Sequence, residues 1–200
     1  MKRIACLALL MLLGLAVSPS RAETTATQVV ERLHSELLAV MKAGSALKFK
    51  EREARLAPVL EETFDFDAIA KIVTGRHWAG LPEDKRQRFR ETFKQLSVAT
   101  YAENFSGFSG APFSTESQEE KRGAQLVKTT IADSEGHKTP LHYLLVKHGE
   151  QWRVVNVVAD GVSDLNLKRS EYDGIIASQG IDALVAKLEA KVASYESAGK

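Results

Sequence analysis

Two changes of hydrophobic period divide this chain and leave few folds open to it. Up to about residue 104, apolar residues recur three and four apart, the spacing of helix faces. From Pro112 to Ala159 they alternate every second residue, and after Asp160-Gly161 the helical spacing returns. Helices, then strands, then helices in separate blocks predict an α+β fold with a segregated antiparallel sheet, because a parallel sheet needs strands and helices interleaved.

The first block reads as four helices. Val29, Val30, Leu33, Leu37, Leu38 and Met41 mark one from about Gln28 to Met41, before Gly44. A charged segment, Lys48 to Glu62, follows, and Pro58 should kink it or start a new turn. Asp65 is placed to cap a short helix through Ile69, Ile72 and Val73 that Gly75 closes. Pro82 opens the next, whose Phe89, Phe93, Leu96 and Thr100 form a stripe ending near Asn104. Pro112–Glu119, Gly123–Ala132, Lys138–Lys147 and Gln151–Ala159 then read as four strands, the last three a meander turning at Glu135-Gly136 and His148-Gly149. Val154, Val155, Val157 and Val158 make both faces of the last strand apolar, as befits a strand central to the fold. Leu165, Arg169, Tyr172 and Ile176 resume the helical spacing, and Gly180 separates a final helix through Leu184 and Leu188.

The amino terminus has another design. Lys2 and Arg3 precede an uncharged apolar run from Ile4 to Val17, then Ser18, Pro19, Ser20, Arg21 and Ala22. A basic start, an apolar core and small residues at Ser20 and Ala22 are the layout of a secretory signal peptide cleaved after Ala22, and the run is short of the roughly 20 residues that span a bilayer. The expected division is therefore 1–22 as signal and 23–200 as one domain. Cleavage removes the single cysteine, Cys6, and shifts the formal charge from +1 to −2. A thiol-free, nearly neutral chain suits an oxidising compartment and has no bulk attraction to nucleic acid.

Signatures of catalysis are thin. Gly107-Phe108-Ser109-Gly110 resembles half of a nucleophile elbow, but its second glycine comes one residue early and no strand leads into it. There is no phosphate-binding loop, dinucleotide fingerprint or zinc helix motif, and the five histidines are scattered, which leaves the chain with no metal site and no catalytic assignment. Asp65 and Asp67 suggest a carboxylate pair, though helix capping explains them more simply. Aromatic residues do concentrate, with Phe64, Phe66, Trp78, Phe89, Phe93, Tyr101, Phe105, Phe108 and Phe113 standing where helices hand over to sheet. Composition leaves both a filled core and a lined cavity open.

Three stretches carry a resemblance. Phe64-Asp65-Phe66 with Ile69, Ala70, Val73, Gly75 and Trp78 resembles a segment of the MlaC, or toluene-tolerance, family of periplasmic phospholipid-binding proteins. Trp152-Arg153-Val154-Val155-Asn156-Val157 running into Gly161-Val162-Ser163 is similar to a second segment of that family. Arg169-Ser170-Glu171-Tyr172, Ile175-Ile176 and Gly180-Ile181-Asp182-Ala183-Leu184 resemble a third. The likeness runs from about Val29 to Lys191, with two departures: Asp164 stands where an apolar residue is expected, and Asn156 where Asp is usual.

The resemblance implies a curved NTF2-like antiparallel sheet of about four strands, with amino- and carboxy-terminal helices enclosing an apolar pocket. It implies a monomeric, non-enzymatic carrier with no cofactor beyond a phospholipid cargo. Such a carrier would exchange lipid with an inner-membrane ABC complex bearing an MCE-domain protein and with an outer-membrane lipoprotein–porin complex. A branch associated with hopanoid synthesis is a variant of the same reading. From motif position and side-chain parity, Phe66, Ile69, Val73, Phe93 and Tyr101 on helices should face Val127, Leu144, Val146, Val154 and Val157 on the sheet across the pocket. An NTF2-like enzyme using Asp160 or His142, and an interaction module with a filled core, are the competing readings.

Overall fold

The computed structural model describes residues 24–107 and 112–198. The segment read as an export signal lies outside the described residues, as do three residues of the Gly107–Gly110 stretch. Helix α1 (Ala26–Ala43) starts at a capping box: the Thr25 hydroxyl accepts from the Gln28 N–H, and the Gln28 side chain accepts from the Thr25 N–H. It buries Val30, Leu33, Leu37 and Val40 completely. Helix α2 (Phe49–Thr63) runs through Pro58 as a single element, so the proline does not open a new helix there. Pro58 and the residue one turn before it, Ala54, are both exposed, so water serves the carbonyl that the proline cannot bond. Asp65 caps α3 (Phe66–Thr74) by accepting from the Ala68 N–H at 2.8 Å, and Gly75 ends it at φ +54°, a conformation natural to glycine. Helix α4 (Glu83–Asn104) begins just after Pro82.

The sheet has five strands, one more than expected. Strands β1 (Phe113–Lys121), β2 (Ala124–Ala132), β3 (Lys138–His148), β4 (Gln151–Ala159) and β5 (Val162–Ser163) lie in chain order, every pair antiparallel. The extra strand exists because Asp160 and Gly161 both take positive φ, 49° and 77°, which folds the chain straight back on β4 as a two-residue hairpin. Arg122 and Gly123, at 53° and 81°, do the same between β1 and β2. Helices α5 (Asp164–Gln179) and α6 (Ile181–Ala198) complete the chain, with Gly180 between them. The sheet is curved and open, and the chain is α+β as the spacing requires.

The helices cover one face of this sheet. Val127, Tyr143, Leu145 and Val154 are fully buried there, while their neighbours His142, Leu144 and Val146 are only half covered on the other face. Beyond β4, the segment before α3 adds itself to the sheet: Phe64 bridges to Val154, and the Asp65 N–H donates to the Val154 carbonyl at 3.0 Å. That bond fixes α3 to the sheet; α3 in turn packs on α5, and α4 on α2 and α6. Among the described residues no helix is long and apolar enough to cross a membrane.

Candidate functional site

The helices do not fill the space against the sheet. A cavity of about 350 Å³ remains between them, within the ~300–1,000 Å³ range of small-molecule sites and near its small end. Phe64, Phe66, Ile69, Phe93 and Leu96 line its interior from the helical side; Tyr143 and Val155 do so from the sheet, and all seven are buried. Aromatic rings form much of that wall: Phe64 lies 5.8 Å from Phe66 and 5.8 Å edge-on from Tyr101, and Phe66 lies 6.3 Å from Phe93. At the other extreme Asn104, Thr139, Ala159 and Asp164 line the cavity yet are exposed, so they mark its mouth. Asp164 and Lys168 stand there as an ion pair one helical turn apart on α5, and they are the two charged residues among those lining the cavity.

Burial sets the electrostatics of the interior. Desolvation, followed by the Asp164 charge, raises the Tyr101 phenol above its ordinary value. Desolvation raises Tyr143 well above its ordinary value, with Tyr101 adding to it. Both therefore line the cavity as neutral hydroxyls. Tyr143 is satisfied from behind, its hydroxyl 3.0 Å from Nε2 of His34. Burial pushes that imidazole down from the usual 6.5 to about 4, so it is uncharged near neutral pH. The Tyr101 hydroxyl has no hydrogen-bond partner among the described residues and is free for a ligand oxygen or water.

Five of the ten expected residues meet at this cavity: Phe66, Ile69, Phe93, Tyr101 and Val157. The other five do not line it. Val73 lies one turn beyond Ile69 and lines a separate cleft between α3 and α5, together with Gly75, Arg76, Arg169 and Asp173. Val127 shares the inner face with Tyr143, its partner in register, and with Val157, which pairs with Tyr143 from the other side, but is packed solid in the core. Leu144 and Val146 point to the opposite face, because the cavity-facing parity on β3 is that of Thr139, Leu141 and Tyr143. Val154 is displaced by a β-bulge: Leu144 pairs with Asn156 and Leu145 with Val154, which leaves Val155 as the extra residue. Val155 takes the place at the cavity, and Val154 is buried beside it. Thr139, Leu141 and Tyr143 alternate as regularly as His142, Leu144 and Val146, so spacing gave no sign of which set faced inward.

The two carboxylates that the sequence offered as a pair, Asp65 and Asp67, have other partners. Asp65 caps α3 and pairs with His148 at 2.9 Å, and Asp67 pairs with Arg90 at 2.8 Å, so neither faces the other as an acid–base couple. Burial opposes ionisation of Asp65, but the Ala68 N–H and the His148 ring outweigh it and hold the carboxyl below the usual range. Among the described residues no group of three or more His, Cys, Asp and Glu side chains is placed to hold a metal.

An open antiparallel sheet with helices on one face encloses a cavity that is apolar inside and charged only at its mouth. The model of the MlaC protein family matches residues 31–190, and the chain belongs to that family. It is 23% identical over 177 residues to the intermembrane phospholipid transport system binding protein MlaC of Haemophilus influenzae, covering 84% of this chain and 82% of that one. It is 25% identical over 166 residues to the toluene tolerance protein ttg2D of Pseudomonas putida, covering 80% and 77%. The fold superimposes with a TM-score of 0.76 on a phospholipid-binding protein from Ralstonia solanacearum, solved in complex with a phospholipid. Identity there is 19%, covering 86% of this chain and 98% of that one.

Proposed function

We propose that this chain is a periplasmic phospholipid carrier that holds acyl chains in the cavity beneath the sheet and leaves the head group at the mouth. The observation that carries this reading is the polarity of the lining: buried aromatic and aliphatic side chains inside, exposed polar and charged ones at the rim. Each methylene withdrawn from water contributes about 0.8 kcal/mol, so the roughly ten to fifteen methylenes that this cavity can enclose gain about 8–12 kcal/mol gross. Such a carrier requires enclosure and needs neither a nucleophile nor a metal. Release into water is unfavourable by the same amount, so unloading requires an acceptor. The acceptors proposed are an inner-membrane ABC complex with an MCE-domain protein and an outer-membrane lipoprotein–porin complex. Membership of the MlaC family supports this reading.

Residues 1–22 are proposed as the cleaved export signal and 23–200 as a single carrier domain, working as a monomer without enzymatic activity. A formal charge of −2 after cleavage suits a shuttle that visits anionic membranes without adhering to them. The test is native mass spectrometry and solvent extraction of the purified mature protein. Co-purifying phospholipid, close to one per chain, is the expected result. Protein that stays empty after incubation with phospholipid vesicles overturns the reading.

A further inference from the structure

The mouth of the cavity carries a feature that apolar enclosure does not require. Acyl chains are indifferent to charge, yet the two charged lining residues, Asp164 and Lys168, stand together at the rim. The Lys168 side chain is only 27% exposed and Asp164 57%, so the pair sits where the cavity meets water rather than on an open helix face. Ser163 caps α5 independently, its hydroxyl accepting from the Asn166 N–H, so Asp164 is not needed as the cap. Its position is also one where the family resemblance leads to an apolar residue.

Resting on the carrier reading above, we infer that Asp164 and Lys168 form a head-group site selecting zwitterionic phospholipids, those bearing a phosphate and a terminal ammonium, over anionic ones. The Lys168 ammonium has three N–H donors and holds Asp164 with fewer than all of them, which leaves capacity for a phosphate oxygen. A phosphate drawn to Lys168 lies beside the Asp164 carboxylate and repels it, unless the head group brings its own cation. A terminal ammonium supplies one, and the four groups then alternate in sign with zero net charge. A glycerol head group supplies none, and the carboxylate and phosphate stand close with a single lysine between them. The site is partly solvated, so the discrimination should match that of an exposed ion pair, roughly two- to fivefold.

The test loads the mature protein from vesicles of equal parts phosphatidylethanolamine and phosphatidylglycerol and reads the bound species by lipid mass spectrometry. The wild type should be enriched in phosphatidylethanolamine roughly two- to fivefold over the vesicle ratio. In Asp164→Asn, which keeps the side-chain shape and the Ser163 cap, the enrichment among the lipids bound should disappear. Thermal melting of the variant confirms that α5 is intact. Wild type loading at the vesicle ratio, or equal enrichment in Asp164→Asn, overturns the head-group site and leaves the carrier reading standing. Failure of both proteins to take up lipid overturns the carrier reading and the site with it.

Discussion

His34 is the residue at which burial, chemistry and stability meet most directly. It lies on α1 with 5% of its surface exposed, stacks 4.0 Å from the Phe113 ring and reaches the hydroxyl of Tyr143, whose ring lines the cavity. Its pKa falls from 6.5 to about 4 on folding, because desolvation penalises the charged ring. The folded value lies below the unfolded one, so in that window the unfolded chain binds the extra proton. The stability that depends on the neutral ring is therefore complete above about pH 6.5, declines as pH falls, and is gone below about 4. The whole effect is about 3 kcal/mol. Urea unfolding at pH 7, 5.5 and 4.5 should show this decline, and His34→Phe should flatten it. At pH 7 that variant should be about 1–3 kcal/mol less stable, because the buried Tyr143 hydroxyl loses its partner. A wild-type curve parallel to that of His34→Phe across this range would show that the ring titrates normally.

At the scale of elements, the junction between α3 and β4 holds the cavity wall in place. Asp65 caps α3, donates its backbone N–H to Val154, and pairs through its carboxylate with His148 at the end of β3. Asp65→Ala should cost about 1–3 kcal/mol, from the lost cap and the lost pairing together, whereas Asp65→Asn keeps an acceptor for the Ala68 N–H and should cost less. Thermal denaturation of the two variants measures the difference, and equal losses would assign the stability to the charge rather than the cap. The cap on Asp65 and the helix end at Gly75 were both legible in the sequence, since each depends on local chemistry within one turn. So were the block order and the antiparallel meander. The fifth strand was not, because two residues are too few for a period. On the helices Phe66, Ile69, Phe93 and Tyr101 were legible as neighbours and Val73, which lines another cleft, was not; the strands were much less legible. There a choice of parity on β3 and one extra residue in β4 sent Leu144 and Val146 to the other face and exchanged Val154 for Val155. Which face of a doubly apolar strand turns inward is decided by the helices that land on it, and strand spacing carries no record of that.

For the molecule as a whole, the cavity is a gap that a close-packed interior would have closed, and its retention is what a carrier requires. Val157 offers a direct test of that claim. It lines the cavity from β4, directly opposite Tyr143 in the sheet register, and is half-buried. In a packed core, a Trp in its place would be destabilising by about 1–3 kcal/mol through strain. Here the added ring enters empty space, so Val157→Trp should fold, melt within a few degrees of the lipid-free wild type, and lose the capacity to load. Lipid bound only to the folded state raises the melting temperature, so the wild type should gain stability on incubation with phospholipid vesicles and Val157→Trp should gain none. Val146→Trp is the control, because its side chain lies on the opposite face of the same sheet, away from the cavity. It should load normally and show the full rise. If Val157→Trp still loads, the acyl chains lie elsewhere. If Val146→Trp fails equally, the defect belongs to the sheet and not to the space beneath it. Normal loading in one variant and none in the other would assign the cargo to this one face, and the difference between the two would rest on a single change of side-chain direction.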